Sequence, residues 1–196
     1  MSRKSTQIRQ SEIKQAVLDI IKSEGISSIS TKNLAKYTGL SDGAIFRHFK
    51  TKRDIIVSII DDVANDMIGQ LKVISNDQTP AKERLHRYLC TTIKYLSENN
   101  GITILLFTEA SHSNDSEMIS KLNFIFNSQR EYIGNIIKDG IIEGIWNKSI
   151  SIDDVTMLYM GIPVTYNINI ILSNDKKIQE EFCSKIISLF EKILDK

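Results

Sequence analysis

The run Ser30-Thr31-Lys32-Asn33-Leu34-Ala35-Lys36-Tyr37-Thr38-Gly39-Leu40-Ser41-Asp42-Gly43-Ala44-Ile45-Phe46-Arg47-His48-Phe49-Lys50-Thr51-Lys52 reads as two short helices joined by a tight turn. Ser30 precedes the first, whose inner face is Leu34 and Ala35 and which ends at Thr38-Gly39. Gly39 supplies the permissive backbone for the turn, Leu40 plugs the angle, and Ser41 or Asp42 caps the second helix, with Ile45 and Phe49 inward. Upstream, Ile13, Ala16, Val17, Ile20 and Ile21 recur at steps of three and four, which predicts a helix from about residue 8 to 24 with Gly25 as its C-cap. Three short helices so connected can form a trihelical core, an arrangement whose second helix can cross a nucleic-acid backbone while the third enters a major groove.

Downstream the helical period continues. Thr51 and Asp54 stand three apart, as in a capping box, ahead of Ile55, Ile56, Ile59, Ile60, Val63 and Met67, and this fourth helix is expected to reach about residue 74. Thr79 as N-cap and Pro80 at the first helical position open a helix carrying Leu85, Tyr88, Leu89, Thr92, Ile93 and Leu96, which Asn99-Asn100-Gly101 breaks. Ile102 to Phe107 fits a buried helix ending near Ser113-Asn114-Asp115, and a long helix from Glu117 stops near Gly140 to Gly144. Ser151 and Asp154 pair before an uncharged helix at about 153–173, Ser173-Asn174-Asp175 turns the chain, and Phe182, Ile186, Leu189, Phe190 and Ile193 stripe a final helix. The expected fold is all-α with about nine helices. Its 34 isoleucines favour strands by propensity, but spacing near 3.6 overrules that, because strands would put half of them in water.

Composition narrows the function. With 196 residues, 41% hydrophobic and 25% charged, the chain is an ordinary globular protein rather than a disordered one. Residues 1–54 hold 11 Lys or Arg against 5 Asp or Glu, whereas residues 55–196 hold 14 against 19. A basic head on a mildly acidic body implies that only the head meets a polyanion. Cys90 and Cys183 lie in periodic apolar surroundings and read as buried thiols in a reducing compartment, with a cytoplasmic location expected and no secretory signal. Val155 to Asn174 is uncharged and long enough to span a membrane, but Asn167, Asn169 and Pro163 argue for burial in protein, so no membrane partner is expected. Glu109 and His112 are too few to hold a metal. Neither a metal, a cofactor nor an enzyme is expected, since no nucleophile motif, phosphate cradle or paired carboxylate stands out.

The polar residues of the head suit DNA. Ser30 and Thr31 begin a helix whose free N–H groups and hydroxyls meet a phosphate, and Lys32 reaches a phosphate or a guanine edge. Arg47 and His48 lie late in the third helix, followed by Lys50, Lys52 and Arg53. A solvated basic face on an ordinary bundle is the competing reading. The segment over about residues 10–56, above all Gly39-Leu40-Ser41-Asp42-Gly43-Ala44-Ile45-Phe46-Arg47-His48-Phe49-Lys50-Thr51-Lys52, resembles the N-terminal signature of the tetracycline-repressor (TetR) family. The resemblance implies a helix-turn-helix DNA-binding domain over 1–54 and a helical effector-binding and dimerisation domain over 55–196. It implies a homodimeric regulator, usually a repressor, that binds double-stranded DNA at a pseudo-palindromic operator and is released by a small molecule. Ser30, Thr31, His48 and Lys52 would then hold phosphates, Lys32, Asp42, Gly43, Ala44 and Arg47 would lie at or near base edges, and Ser41 would start the reading helix. Phe46 stands where the family usually has Tyr, so one hydroxyl contact is missing.

For the body, Met157, Met160, Gly161, Val164, Ile168 and Ile171 are assigned to a partner subunit, and Leu158, Tyr159, Ile162 and Tyr166 to the interior. With the last helix this resembles the family's dimer face, a four-helix bundle between two copies. Candidate lining of an effector pocket is Leu89, Leu105, Phe107, Thr108, Phe126, Tyr132, Tyr159 and Tyr166, for an apolar or amphipathic effector. Phe107-Thr108-Glu109 and the segment before Trp146 resemble regulators of fatty-acid metabolism, which adds an acyl thioester to the candidates. The alternative is a helical DNA-binding or protein-interaction module with no small-molecule effector.

Overall fold

The computed structural model describes residues 5–99, 102–112, 114–173 and 180–195. The expected breaks at Asn100-Gly101, Ser113 and Asn174-Asp175 lie outside the described residues. The described residues carry no strand, and the helices run α1 (Thr6–Glu24), α2 (Thr31–Thr38), α3 (Asp42–His48), α4 (Lys52–Asp62), α5 (Gly69–Ser75), α6 (Ala81–Glu98), α7 (Ile102–His112), α8 (Ser116–Ile142), α9 (Ile152–Ser173) and α10 (Glu180–Leu194). A π-helical segment, Val63–Ile68, joins α4 to α5 without a break. Counted as one rod, α4 and α5 bring the number of helices among the described residues to nine.

Packing divides the chain into two compact units. The first comprises residues 1–63 and 99–122, the second residues 64–98 and 123–196. The boundary expected at residue 54 falls inside α4, whose buried Ile55, Ile56, Ile59 and Ile60 belong to the first unit. In that unit α1 buries Ile13, Ala16, Val17, Ile20 and Ile21, the expected stripe, with Leu18 beside it.

Helix starts follow local chemistry. Ser30 and Ser41 each accept a backbone N–H three residues on, from Asn33 at 3.2 Å and Ala44 at 3.3 Å. Ser41 is therefore the cap and Asp42 the first helical residue. Thr51 and Asp54 form the complete capping box, with Asp54 N–H donating to Thr51 at 3.1 Å and Thr51 N–H to Asp54 at 3.0 Å. Such caps are worth about 1 kcal/mol each. The expectation at α6 needs correction: Pro80 lies just outside the helix, its carbonyl taking the first helical bond from Arg84. The leading Ala81 N–H is met by the Glu143 carboxylate at 3.1 and 3.2 Å, while Thr79 receives Arg87 at 3.4 Å.

In the second unit α6 packs on α9 and α10. The Tyr159 hydroxyl donates to the Leu85 carbonyl, and its ring meets Tyr88 and Phe190 edge-on with centroids 6.2 and 5.2 Å apart. Asn167 donates from Nδ2 to the Leu96 carbonyl at 3.1 Å. Arg84 is buried, with Nη1 donating to Asp139 and to the Ser75 carbonyl, each at 2.8 Å. α9 is long and apolar enough to cross a membrane by length and composition. One side of it, Val155, Thr156, Tyr159, Pro163, Asn167 and Ile170, is buried, and Met157, Leu158, Gly161, Ile168 and Leu172 are exposed. Of the residues expected inside, Tyr159 is buried and Leu158 exposed; of those assigned to a partner subunit, Met157, Gly161 and Ile168 are exposed on this chain.

Candidate nucleic-acid interface

The helix-turn-helix rests on one residue with a left-handed backbone. Gly39 has φ 66° and ψ 20°, a conformation that costs a side-chain-bearing residue, and it swings α3 away from α2. Thr38 ties the turn, its hydroxyl donating to the Leu34 carbonyl at 2.7 Å and accepting from the Leu40 N–H at 3.3 Å. Leu34 and Ile45 are buried between the helices, and Phe49 closes α3.

That core leaves one side polar and open. Ser30, Lys32, Ser41, Asp42, Gly43, Phe46, Arg47 and Lys52 are exposed, and Thr31 and His48 half-buried. A shallow concavity brings Ser30 and Thr31 at the start of α2 together with Phe46 of α3 and with Thr51 and Lys52 at the start of α4. Its other lining residues, Ile29, Leu34, Ile45, Phe49 and Ile55, are apolar, so it is the rim, with two helix N-termini, three hydroxyl residues and a lysine, that suits a phosphate. Phe46 is exposed beside them with no hydroxyl to offer. Ala44 departs from expectation. It is only 8% exposed, so its methyl faces the domain rather than a base edge. Being next to Ile45, it turns toward the core with it.

Several residues that position this surface were not legible in spacing. Gln10 of α1 donates to the His48 carbonyl at 3.2 Å, bracing the end of α3 from 38 residues away. Glu24 accepts from Asn33 and Tyr37, each at 2.9 Å, and so pins α2 to α1. Arg53, which the sequence groups with the DNA-facing cations, is engaged elsewhere. It donates to both Asp115 oxygens and to Glu117 at 2.6 Å, at the start of α8. The Arg53 guanidinium and the Glu117 and Met118 N–H groups hold the Asp115 carboxyl down at about 2. Lys121 and Asp61, 2.5 Å apart, repeat the pairing further along α4 and α8.

The comparisons with known proteins bear on this geometry. Residues 15–59 match the family model for bacterial regulatory proteins, tetR family, the segment that builds α2, α3 and the concavity. The head of the chain is a TetR-family helix-turn-helix. With it the chain is a helix-turn-helix DNA-binding transcription regulator. It is 24% identical over 139 residues to the nucleoid occlusion factor SlmA of Actinobacillus pleuropneumoniae, covering 70% of this chain and 69% of that one. It is 26% identical over 133 residues to the fatty acid metabolism regulator protein of Bacillus subtilis, covering 68% of each. Among solved structures its fold is similar to the ketosteroid transcriptional regulator KstR2 of Mycobacterium tuberculosis, with TM-score 0.80 and 13% identity over 100% of this chain and 97% of that one. It is also similar to the regulator FadR of Bacillus subtilis in complex with stearoyl-CoA, with TM-score 0.73 and 20% identity over 92% and 96%.

The residues expected to line an effector pocket fall into both units. Leu105, Phe107 and Thr108 belong to the first, and Leu89, Phe126, Tyr132, Tyr159 and Tyr166 to the second. Leu89, Leu105 and Tyr159 are fully buried, Thr108 and Tyr132 half-buried, and Tyr166 stacks on Phe182 at 4.0 Å. Phe107 and Phe126 are exposed on α7 and α8 and line no interior. α7 carries a continuous apolar run, Ile104 to Phe107, so its period does not mark which of these side chains faces inward.

Proposed function

We propose that this TetR-family regulator works as a homodimer joined through α9 and α10, reads a pseudo-palindromic operator with one α3 per major groove, and is released by a small apolar or amphipathic effector. The observation that carries the reading is the second apolar face of α10. Cys183, Ile187, Phe190 and Leu194 are buried within the chain, while Phe182, Ile186, Leu189 and Ile193 form a separate row at steps of four, three and four. Leu189 is 57% and Ile193 54% exposed, and Met157, Ile168 and Leu172 of α9 are exposed too. Large apolar side chains in such a row favour a partner helix over water. A two-fold pair sets its recognition helices about 34–36 Å apart, one turn of the duplex. An effector that binds one body conformation better than the other shifts that spacing and weakens both half-sites together.

Support for a lipophilic effector comes from the similarity to a regulator solved with stearoyl-CoA. The similarity to nucleoid occlusion factors favours a second reading, a DNA-binding dimer that answers to no small molecule. Selection from random duplexes followed by gel shift tests both. A preferred pseudo-palindrome, a dimer in sedimentation and release by stearoyl-CoA or another lipophile support the proposal. A monomer at micromolar concentration with no preferred duplex overturns it, and a specific complex that no lipophile dissociates favours the second reading.

A further inference from the structure

The stretch between Phe49 and Ile55 carries phosphate-facing groups of the head yet buries none of its own side chains. Phe49 and Ile55 are 7% and 3% exposed, whereas Lys50, Thr51, Lys52 and Arg53 are exposed and Asp54 half-buried. The capping box joins Thr51 to Asp54 and organises the first turn of α4 internally, but it fastens that turn to no other element. Burial therefore does not fix Thr51 and Lys52 on the rim of the concavity.

Arg53 supplies a tie. Its Nη2 donates to Asp115 Oδ1 at 3.0 Å and to Glu117 Oε2 at 2.6 Å, and its Nε donates to Asp115 Oδ2. The receiving end is anchored in turn. Asp115 caps α8, its Oδ1 accepting from the Glu117 N–H at 3.0 Å and the Met118 N–H at 3.2 Å, and Met118 is buried. One turn further along α8, Lys121 stands 4.0 Å from Glu117 and 2.5 Å from Asp61, near the other end of α4. A forked guanidinium within a chain of five charged side chains holds its geometry better than an isolated surface pair. All five lie in the first unit, where residues 99–122 pack with the head.

We infer that Asp115 and Glu117, acting through Arg53, are positioning residues for DNA binding, holding the first turn of α4 so that Thr51 and Lys52 meet a phosphate together with Ser30 and Thr31. The inference rests on the phosphate-binding reading of those four residues and adds to it two carboxylates that never touch DNA. A turn that is already fixed does not have to be ordered when the duplex arrives, and that saving is the contribution of the pair. Simple electrostatics predicts the opposite sign. Two carboxylates in the DNA-binding unit repel phosphates, so on charge alone their removal tightens binding.

The test titrates a labelled mixed-sequence duplex and the selected operator by fluorescence anisotropy across a salt series, well below the unfolding transition, with each variant shown folded by circular dichroism. Asp115→Asn with Glu117→Gln removes both charges and keeps the α8 cap, since asparagine caps as well as aspartate. This variant is expected to bind both duplexes about 5-fold more weakly, with the slope of log K against log salt changed by less than about half a unit. Arg53→Ala should behave alike, and the three changes together should cost no more than either set alone. Unchanged or tighter binding by the Asp115→Asn/Glu117→Gln variant overturns the inference. So do additive losses, or a slope flattened by about one unit in Arg53→Ala, which marks a direct phosphate contact. Lys52→Ala is the reference for the underlying reading. If it leaves the slope unchanged, the phosphate assignment falls and the inference with it, whereas a flattened slope there beside a tight-binding Asp115→Asn/Glu117→Gln variant removes the positioning role alone.

Discussion

Replacing Gly140 by alanine puts two opposed effects of known size in one place. In isolation the change favours a helix by about 1 kcal/mol, and Gly140 lies in the last turn of α8. An added Cβ would stand 2.1 Å from Cε3, 2.3 Å from Cζ3 and 2.7 Å from Cδ2 of Trp146. Carbon atoms settle at about 3.5–4.0 Å, so the indole would have to withdraw by more than about 1 Å. It has little room to do so. Trp146 is 2% exposed, its backbone N–H bonds the Gly140 carbonyl at 3.3 Å, and the following Asn147 N–H bonds the Leu194 carbonyl at 2.8 Å. Overpacking of this kind costs about 1–3 kcal/mol and more when a rigid ring is trapped. The clash therefore wins, with a net loss of about 2 kcal/mol and a fall in Tm of about 4–8 °C for a chain this long. Gly134 in the same helix is the matched control, because a Cβ there meets Ile152 at 3.7 Å and Thr156 at 3.8 Å, ordinary contacts. Gly134→Ala should raise Tm slightly. Thermal and urea unfolding of both variants decide the matter, and a Gly140→Ala protein as stable as Gly134→Ala would refute the reasoning.

Lys52→Ala is expected to weaken binding to all duplexes alike and to flatten the salt dependence of log K by about one unit, read from gel shifts across a salt series. Arg47→Ala should instead relax sequence preference, at a cost of about 1–3 kcal/mol on the preferred site alone. Asp115 stays ionised down to about 2 in the folded chain against an ordinary 3.8, so its pairing with Arg53 stabilises above pH 4 and is lost as pH falls toward 2. Asp115→Asn should abolish that part of the acid transition, seen by circular dichroism between pH 4 and 2. Leu189→Asp with Ile193→Asp should leave a folded monomer that holds an operator half-site only weakly, measured by sedimentation and gel shift.

What was legible in the chain was local. Ser30, Ser41, Thr51 and Ser151 each sit three residues before the N–H they cap, so their role depends on nothing distant. Gly39 needed only its own backbone angle, and the stripe of α1 only its period. The exposure of the proposed recognition surface was legible for the same reason, because one turn and two short helices place nearly all of it. Ala44 is the exception. On a helix of seven residues a shift of one position separates the core from the groove, and spacing does not resolve that.

The rest depended on partners far along the chain. Arg53 sits among basic residues and by composition belongs with them, but Asp115 and Glu117, more than 60 residues on, take all of its donors facing α8. Its charge therefore does not count toward DNA as Lys52 does, and it ties the start of α4 to the segment that packs with the head. The same logic explains why a pocket could not be read from side-chain type. Leu89 and Phe126 are equally apolar in sequence, yet one is fully buried and the other exposed, because helix rotation, not composition, decides which side meets the interior.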